Sequence, residues 1–261
     1  MFAPLHKAVL SDEELVKIRR ELYHSEGPGY HIFRSFLSDY EVQHIRHVWT
    51  QYPWEMTHIR HPGKDNLVSN SPDLYLKELP GSESYWNFHW NISRRCTFTQ
   101  EACAAAHMLR NTLMGKAPFF ELSPTDLQGQ LYATSYRVVM STDAEELVKE
   151  HADWGPRENI LDKRYQLQRL QNTLFLSEHG VDYTGDGFYM VGRDGVKRHI
   201  CQQENIRPGD LLVWAYNTPH GVGSVKALGE DGPGYMRIVM PSERLDRKRI
   251  YTGGRTAVPA F

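Results

Sequence analysis

Two textures of apolar patterning divide the chain. Through about residue 115, apolar positions recur at helical spacing. SDEELVKIRRELYH opens on Ser11 with Glu14 three residues on, the pairing of a capping box, in which each side chain satisfies the other's backbone N–H. Ser38 and Glu41 repeat it ahead of Val42, Ile45, Val48 and Trp49, which fall on one helical face. Thr97 and Gln100 predict a third, alanine-rich helix to about Met114, with Gly115 placed to end it.

From about Gln128 the texture changes. QLYATSYRVVMS and GYMRIVMPSE are β-branched and aromatic, as strands are. QRLQNTLFLS reads as a strand buried on both faces, and LLVWAY as a short apolar strand. Turn chemistry punctuates them. Asp194-Gly195 between DYTGDGFYMV and VKRHICQQ predicts a hairpin, and Arg207-Pro208-Gly209-Asp210 a turn. Thr142 with Glu145 predicts one helical turn just before residue 150. Helices first and six or more short strands after predict a mainly β protein, an all-β core with helical buttresses. With no internal repeat or long linker, a single domain over residues 1–261 is predicted: a mainly helical part (1–115), a β core (128–245) and a C-terminal tail (246–261).

Composition narrows the function classes. A net charge of −2 offers no basic face for nucleic acid. No apolar run approaches the ~20 residues that span a bilayer, so no membrane partner is expected. The first residues lack the charged and apolar blocks of a signal peptide. Three cysteines without a CxxC pair argue against a disulfide framework and fit a reducing cytoplasm, in which the N-x-S triplet at Asn91 is a chance match. The thirteen histidines permit metal chemistry without showing it.

KEHADWG carries the first candidate chemistry. If it is extended, His151 and Asp153 project from one face and can bind one ion together. Two histidines with one carboxylate make a facial triad with open positions for other ligands. His220, in WAYNTPHGVGS after an apolar strand, is the best second histidine, with Pro219 and Gly221 shaping its approach. A His-x-Asp also occurs by chance in chains of this length, and His58, His61, His89, His179 and His199 read as loop, packing or solvated residues. Arg237 sits between Met236 and Ile238 in the last strand and points in or out by parity. If in, its charge needs an anionic partner, either a protein carboxylate or a bound one.

In this order the pieces resemble the iron- and 2-oxoglutarate-dependent dioxygenases, and most of all their phytanoyl-CoA dioxygenase-like branch. The matching pieces are FLSDYEV (36–42), HAD (151–153), GDLLVWAYNTPHGVG (209–223) and RIVM (237–240). The resemblance implies a double-stranded β-helix, a jelly roll of cupin-like form, buttressed by the N-terminal helices. It implies Fe(II) held by His151, Asp153 and His220, 2-oxoglutarate as cosubstrate with its distal carboxylate on Arg237, and dioxygen as oxidant. Asn172 and Tyr136, on candidate strands, are the further cosubstrate contacts it suggests. Because Asp153 fills the position that related halogenases leave to a small residue, it implies hydroxylation, desaturation or ring formation rather than halogenation. The VGSVKALGEDGPGY segment between His220 and Arg237 is longer and richer in glycine than the pattern. A small-molecule substrate is the expectation. A cupin-like metal or small-ligand binding protein, and a peptide or protein hydroxylase on the same fold, are the alternatives.

Overall fold

The computed structural model describes residues 9–51, 73–78, 84–89, 96–115, 131–134, 136–152, 170–215, 217–229, 232–239 and 242–245. Both N-terminal capping boxes form as read. The Ser11 hydroxyl accepts from the Glu14 N–H at 3.3 Å and Glu14 accepts from the Ser11 N–H at 2.8 Å, opening α1 (Asp12–Tyr23). Ser38 and Glu41 do the same for α2 (Asp39–Thr50), after the short strand β1 (Tyr30–Phe33). The third helix, α3 (Thr97–Leu113), differs from its prediction at its start. Cys96 is its N-cap, with Sγ accepting from the Thr99 N–H at 3.4 Å, so the box read at Thr97 is already inside the helix. Gly115 does follow its last turn, at φ +70°.

Strands β2 (Asp73–Glu78) and β3 (Ser84–His89) precede α3, and with β1 they bring strand structure into the part read as mainly helical. After α3 come β4 (Leu131–Thr134), β5 (Tyr136–Ser141), β6 (Asp143–Ala144) and β7 (Val148–His151). The helical turn predicted at Thr142 is absent. β6 instead pairs with β14 (Val225–Ala227), and the Thr142 carbonyl accepts from the Ala227 N–H at 2.6 Å. A ladder partner from far along the chain outweighs a local capping signal there. The chain continues through β8 (Leu170–Phe175), β9 (Tyr183–Thr184), β10 (Phe188–Val191), β11 (Lys197–His199) and the one-turn α4 (Ile200–Gln203). β12 (Leu211–Ala215), β13 (His220–Val222), β15 (Tyr235–Val239) and β16 (Ser242–Leu245) complete it.

These strands form a seven-stranded sheet, β1-β12-β8-β15-β5-β3-β2, and a four-stranded sheet, β11-β10-β13-β7, both antiparallel. From β5 onward the chain alternates between them: β7 in the small sheet, β8 in the large, β10 and β11 in the small, β12 in the large, β13 in the small, β15 in the large. That winding is a double-stranded β-helix, or jelly roll.

The large sheet is buried on both faces, and alternation sorts its residues. Leu174, Leu211, Val213, Met236 and Ile238 pack against helix residues Ile18, Leu22, Ile45, Trp49, Ala106 and Leu109. Phe175, Leu212, Trp214 and Tyr235 face the other way and pack with Phe188, Met190 and Val222 of the small sheet. Among the helices, the buried Trp49 indole N–H donates to the Thr99 hydroxyl at 2.9 Å, which ties α2 to α3. Asp210, just before β12, accepts from Arg34 at 2.8 Å and from the Ser35 and Arg207 N–H groups, fixing the turn that aims the strand. Gly209 in that turn has φ +96°, and a Cβ there would sit 2.7 Å from the Leu37 carbonyl oxygen, so only glycine fits. Among the described residues, no helix is long and apolar enough to cross a membrane.

Candidate functional site

The small sheet brings the two predicted histidines together. His220, the first residue of β13, lies directly opposite His151, the last of β7, and their ring centroids are 4.6 Å apart. His220 is buried and His151 exposed, so the pair sits where the interior between the sheets meets its open end. Each imidazole is latched to the backbone two residues before it. His151 Nδ1 lies 2.8 Å from the Lys149 carbonyl oxygen and His220 Nδ1 2.9 Å from that of Thr218. A carbonyl only accepts, so in the neutral rings the proton is on Nδ1 and the lone pair on Nε2. That tautomer, fixed by a backbone carbonyl, is the one metal-ligating histidines use. Asp153 lies outside the described residues, two positions beyond His151. Among the described residues, no group of three or more His, Cys, Asp or Glu side chains gathers around one point.

Behind the histidines the wall is aromatic. The Trp214 ring meets His220 edge-on at 5.1 Å, and Phe188 lies 5.7 Å from His220 and 5.3 Å from Trp214.

Arg237 approaches the same Phe188 ring from the large sheet. Its strand register places it opposite Val139 of β5 and Phe175 of β8, both inward-facing, so its parity is settled: the side chain points between the sheets. It is 4% exposed. The guanidinium carbon lies 5.1 Å from the Phe188 centroid and 6.0 Å from that of Tyr235. The ring faces attract the cation but leave its N–H donors without acceptors. Arg237 Nε has no hydrogen-bond partner among the described residues, and neither do the buried Tyr235 hydroxyl and Trp214 Nε1. The buried carboxylates Asp182 and Asp210 are both engaged elsewhere, with Arg46 and Arg34 respectively. Burial pushes the Tyr235 and Tyr183 phenols far above their usual range, against the opposing pull of the Arg237 charge, so both remain donors. Tyr183 pairs with the buried Cys201.

The other predicted contacts fare differently. Asn172 lies on the opposite face of the large sheet, where its Nδ2 donates to the Ala106 carbonyl of α3 at 3.1 Å, so it does not join Arg237. Tyr136 opens β5, and its side chain is outside the described residues, as are His58 and His61 and the side chain of His89. His179 contacts Gln202, and His199 lies 3.7 Å from Asp186, both away from the histidine pair. Reading the sequence missed Tyr235, Trp214 and Phe188. The signal for Tyr235 was available: it is two residues before Arg237 on one strand and must share its face.

The fold is the jelly roll of the iron- and 2-oxoglutarate-dependent oxygenases. No protein-family model and no curated protein matches the sequence. Among solved structures, the chain is similar to the epimerase SnoN in complex with Fe3+, α-ketoglutarate and nogalamycin RO: TM-score 0.50 and 11% identity over 90% of this chain and 87% of that one. It is also similar to a Pseudomonas putida prolyl-4-hydroxylase, with TM-score 0.49 and 14% identity over 89% of this chain and 99% of that one. Apo EctD from S. alaskensis gives TM-score 0.49 and 12% identity over 90% of this chain and 80% of that one.

Proposed function

We propose that the chain is an Fe(II)- and 2-oxoglutarate-dependent oxygenase that hydroxylates or otherwise oxidises an unactivated carbon of a small molecule. One observation carries the reading. His220, one of two adjacent imidazoles latched in the metal-binding tautomer, and a buried arginine whose Nε has no partner among the described residues meet the same Phe188 ring, from opposite sheets. That span suits a five-carbon dicarboxylate with one end at the histidines and the other at the guanidinium. A plain metal-binding protein of cupin type would have no use for Arg237 there, because a buried cation without an anion is strongly unfavourable.

The donor set fits the metal: neutral imidazoles and a carboxylate suit a divalent iron. His151 and His220 would hold it with Asp153 as third ligand, and Arg237 would fix the far carboxylate of 2-oxoglutarate. Bound there, iron with 2-oxoglutarate and dioxygen supplies the oxidation of a C–H bond, with succinate and carbon dioxide as co-products. The protein's part is placement. The Lys149 and Thr218 carbonyls hold the two rings in the ligating tautomer, Arg237 orients the cosubstrate, and Phe188, Trp214 and Leu212 keep water from the interior. The SnoN structure, which holds Fe3+ and α-ketoglutarate on this fold, supports the assignment. The small-molecule substrate rests on the same structure's nogalamycin ligand and on the near-neutral charge of this chain.

The test is an anaerobic titration. Fe(II)-loaded wild type given 2-oxoglutarate develops a weak visible charge-transfer band, and His151→Ala does not. Full metal loading without a band in wild type sinks the reading and favours the binding-protein alternative.

A further inference from the structure

We propose that a one-residue bulge in β7, at Lys149 and Glu150, positions the histidine pair: seated on Gly221 and pinned from the outer face of the small sheet, it turns His151 inward and brings the Lys149 carbonyl to its Nδ1. The assignment rests on the metal site of the oxygenase reading and adds to it residues on the far side of the sheet from that site.

The register shows the bulge. Val148 pairs with Val222 and His151 with His220, so β7 has Lys149 and Glu150 where β13 has only Gly221. Val148 packs toward the interior between the sheets. On an unbroken strand, the residue three positions further on points to the opposite face, which is away from His220. The additional residue reverses that parity, and the His151 and His220 rings meet at 4.6 Å. It also accounts for the latch. In a regular strand the carbonyls point sideways to the neighbouring strands while side chains stand perpendicular to the sheet. A bulge bends the strand and disrupts its ladder. Here that bend turns the Lys149 carbonyl to the ring, with its oxygen 2.8 Å from His151 Nδ1.

Gly221 makes room for the bulge. Its φ is not positive, so the reason for glycine is space rather than backbone freedom. A Cβ there would sit 2.8 Å from the Val148 carbonyl oxygen and 2.6 Å from the Tyr189 hydroxyl oxygen. Tyr189 lies opposite Gly221 on β10 and, between the inward-facing Phe188 and Met190, points outward over the glycine. The Lys197 ammonium of β11 stands 4.0 Å from the centre of that ring and 3.8 Å from the Glu150 carboxylate. The outer residue of the bulge is thus tied across β11 and β10 to the glycine that it opposes. The ion pair is half-exposed and adds little stability of its own. Fit at Gly221 carries the device, and the pair directs Glu150 outward, which leaves the next residue, His151, to face in.

Gly221→Ala adds one methyl group on the face away from the histidine pair. Two measurements follow it: calorimetric Fe(II) binding to the anaerobic protein, and nitrogen NMR of the histidine rings in the metal-free protein at a pH where they are neutral, assigned with His151→Gln. Wild type is expected to carry the His151 proton on Nδ1. In Gly221→Ala the Val148 carbonyl has to move, so the Nδ1 signature of His151 is expected to be lost. Fe(II) affinity is expected to fall about tenfold or more, as when an outer partner of a ligating histidine is removed. Deleting Glu150 removes the bulge without adding an atom, and is expected to give the same two changes even if the alanine variant does not fold. A folded variant with wild-type Fe(II) affinity overturns the assignment. So does a fall in affinity with the His151 tautomer intact, which general loosening of the sheet would produce. A wild-type His151 with its proton on Nε2 overturns it at the start. Wild type that keeps the Nδ1 signature but binds no Fe(II) overturns the metal reading itself, and this assignment with it.

Discussion

Arg237 concentrates the argument at the scale of the residue. It stands almost wholly buried on an inner face, attracted by the Phe188 and Tyr235 rings and, among the described residues, short of an acceptor at Nε. If its task is the far carboxylate, Arg237→Ala raises the 2-oxoglutarate concentration needed for half-saturation. A lost charge-assisted pair leaves roughly 2–5 kcal/mol unmet, about 30-fold or more in affinity. Titrating the visible band against cosubstrate measures it, and an unchanged half-saturation point would assign the carboxylate elsewhere. The sequence singled out His151, His220 and Arg237 through the order of three motifs, HAD, TPHGVG and RIVM, rather than through any one strand. It could not place Asn172. β8 is buried at all six positions, so there is no polar alternation from which to tell its two faces apart. Only the packing of Leu170 and Leu174 on the helices, with Asn172 bonded to α3, reveals which face that is.

The elements show where local signals suffice. The boxes at Ser11 and Ser38 form to the residue, since a cap is satisfied within four positions of the chain and needs no distant partner. Ser38→Ala is expected to destabilise the protein by about 1 kcal/mol. Urea unfolding would read this as a lower midpoint at unchanged slope. An unchanged midpoint would show α2 to be held by Val42, Ile45 and Trp49 alone. Where a partner is distant, the same reasoning fails. β1 is only Tyr30–Phe33, and its residues are half-buried rather than alternating. Nothing within those four positions indicates that Trp214, Val213, Leu212 and Leu211 lie opposite them. The turn read at Thr142 fails for the same reason, with β14 as the unseen neighbour. At Cys96 a thiol takes the capping role, which residue preferences give to hydroxyls and carboxylates.

On the scale of the whole molecule, the proposed ligands divide between the two sheets. His151 and His220 belong to the small sheet, Arg237 to the large. A dicarboxylate joining metal and arginine would therefore fasten one sheet to the other. Fe(II) with 2-oxoglutarate, added anaerobically, is expected to raise the unfolding temperature more than either alone. Binding at a hundredfold excess over Kd adds about 2.7 kcal/mol by linkage. Scanning calorimetry checks this, and equal midpoints with and without the pair would show that nothing bridges the sheets.

The same topology bears on how the chain comes to be folded in the first place. Among the described residues, β1 lies at an edge of the large sheet, with β12 as its only ladder neighbour. During synthesis Tyr30 leaves the ribosome long before Trp214, which it faces. At ordinary elongation rates the interval is on the order of ten seconds or more. Over that time β1 has no strand to pair with, and an unpaired strand is open to adventitious partners. α1 and α2, capped from within, flank it on both sides and can form during the wait. The N-terminal helices thus stand as early folding neighbours for a strand whose own pairing is completed only when β12 has been made.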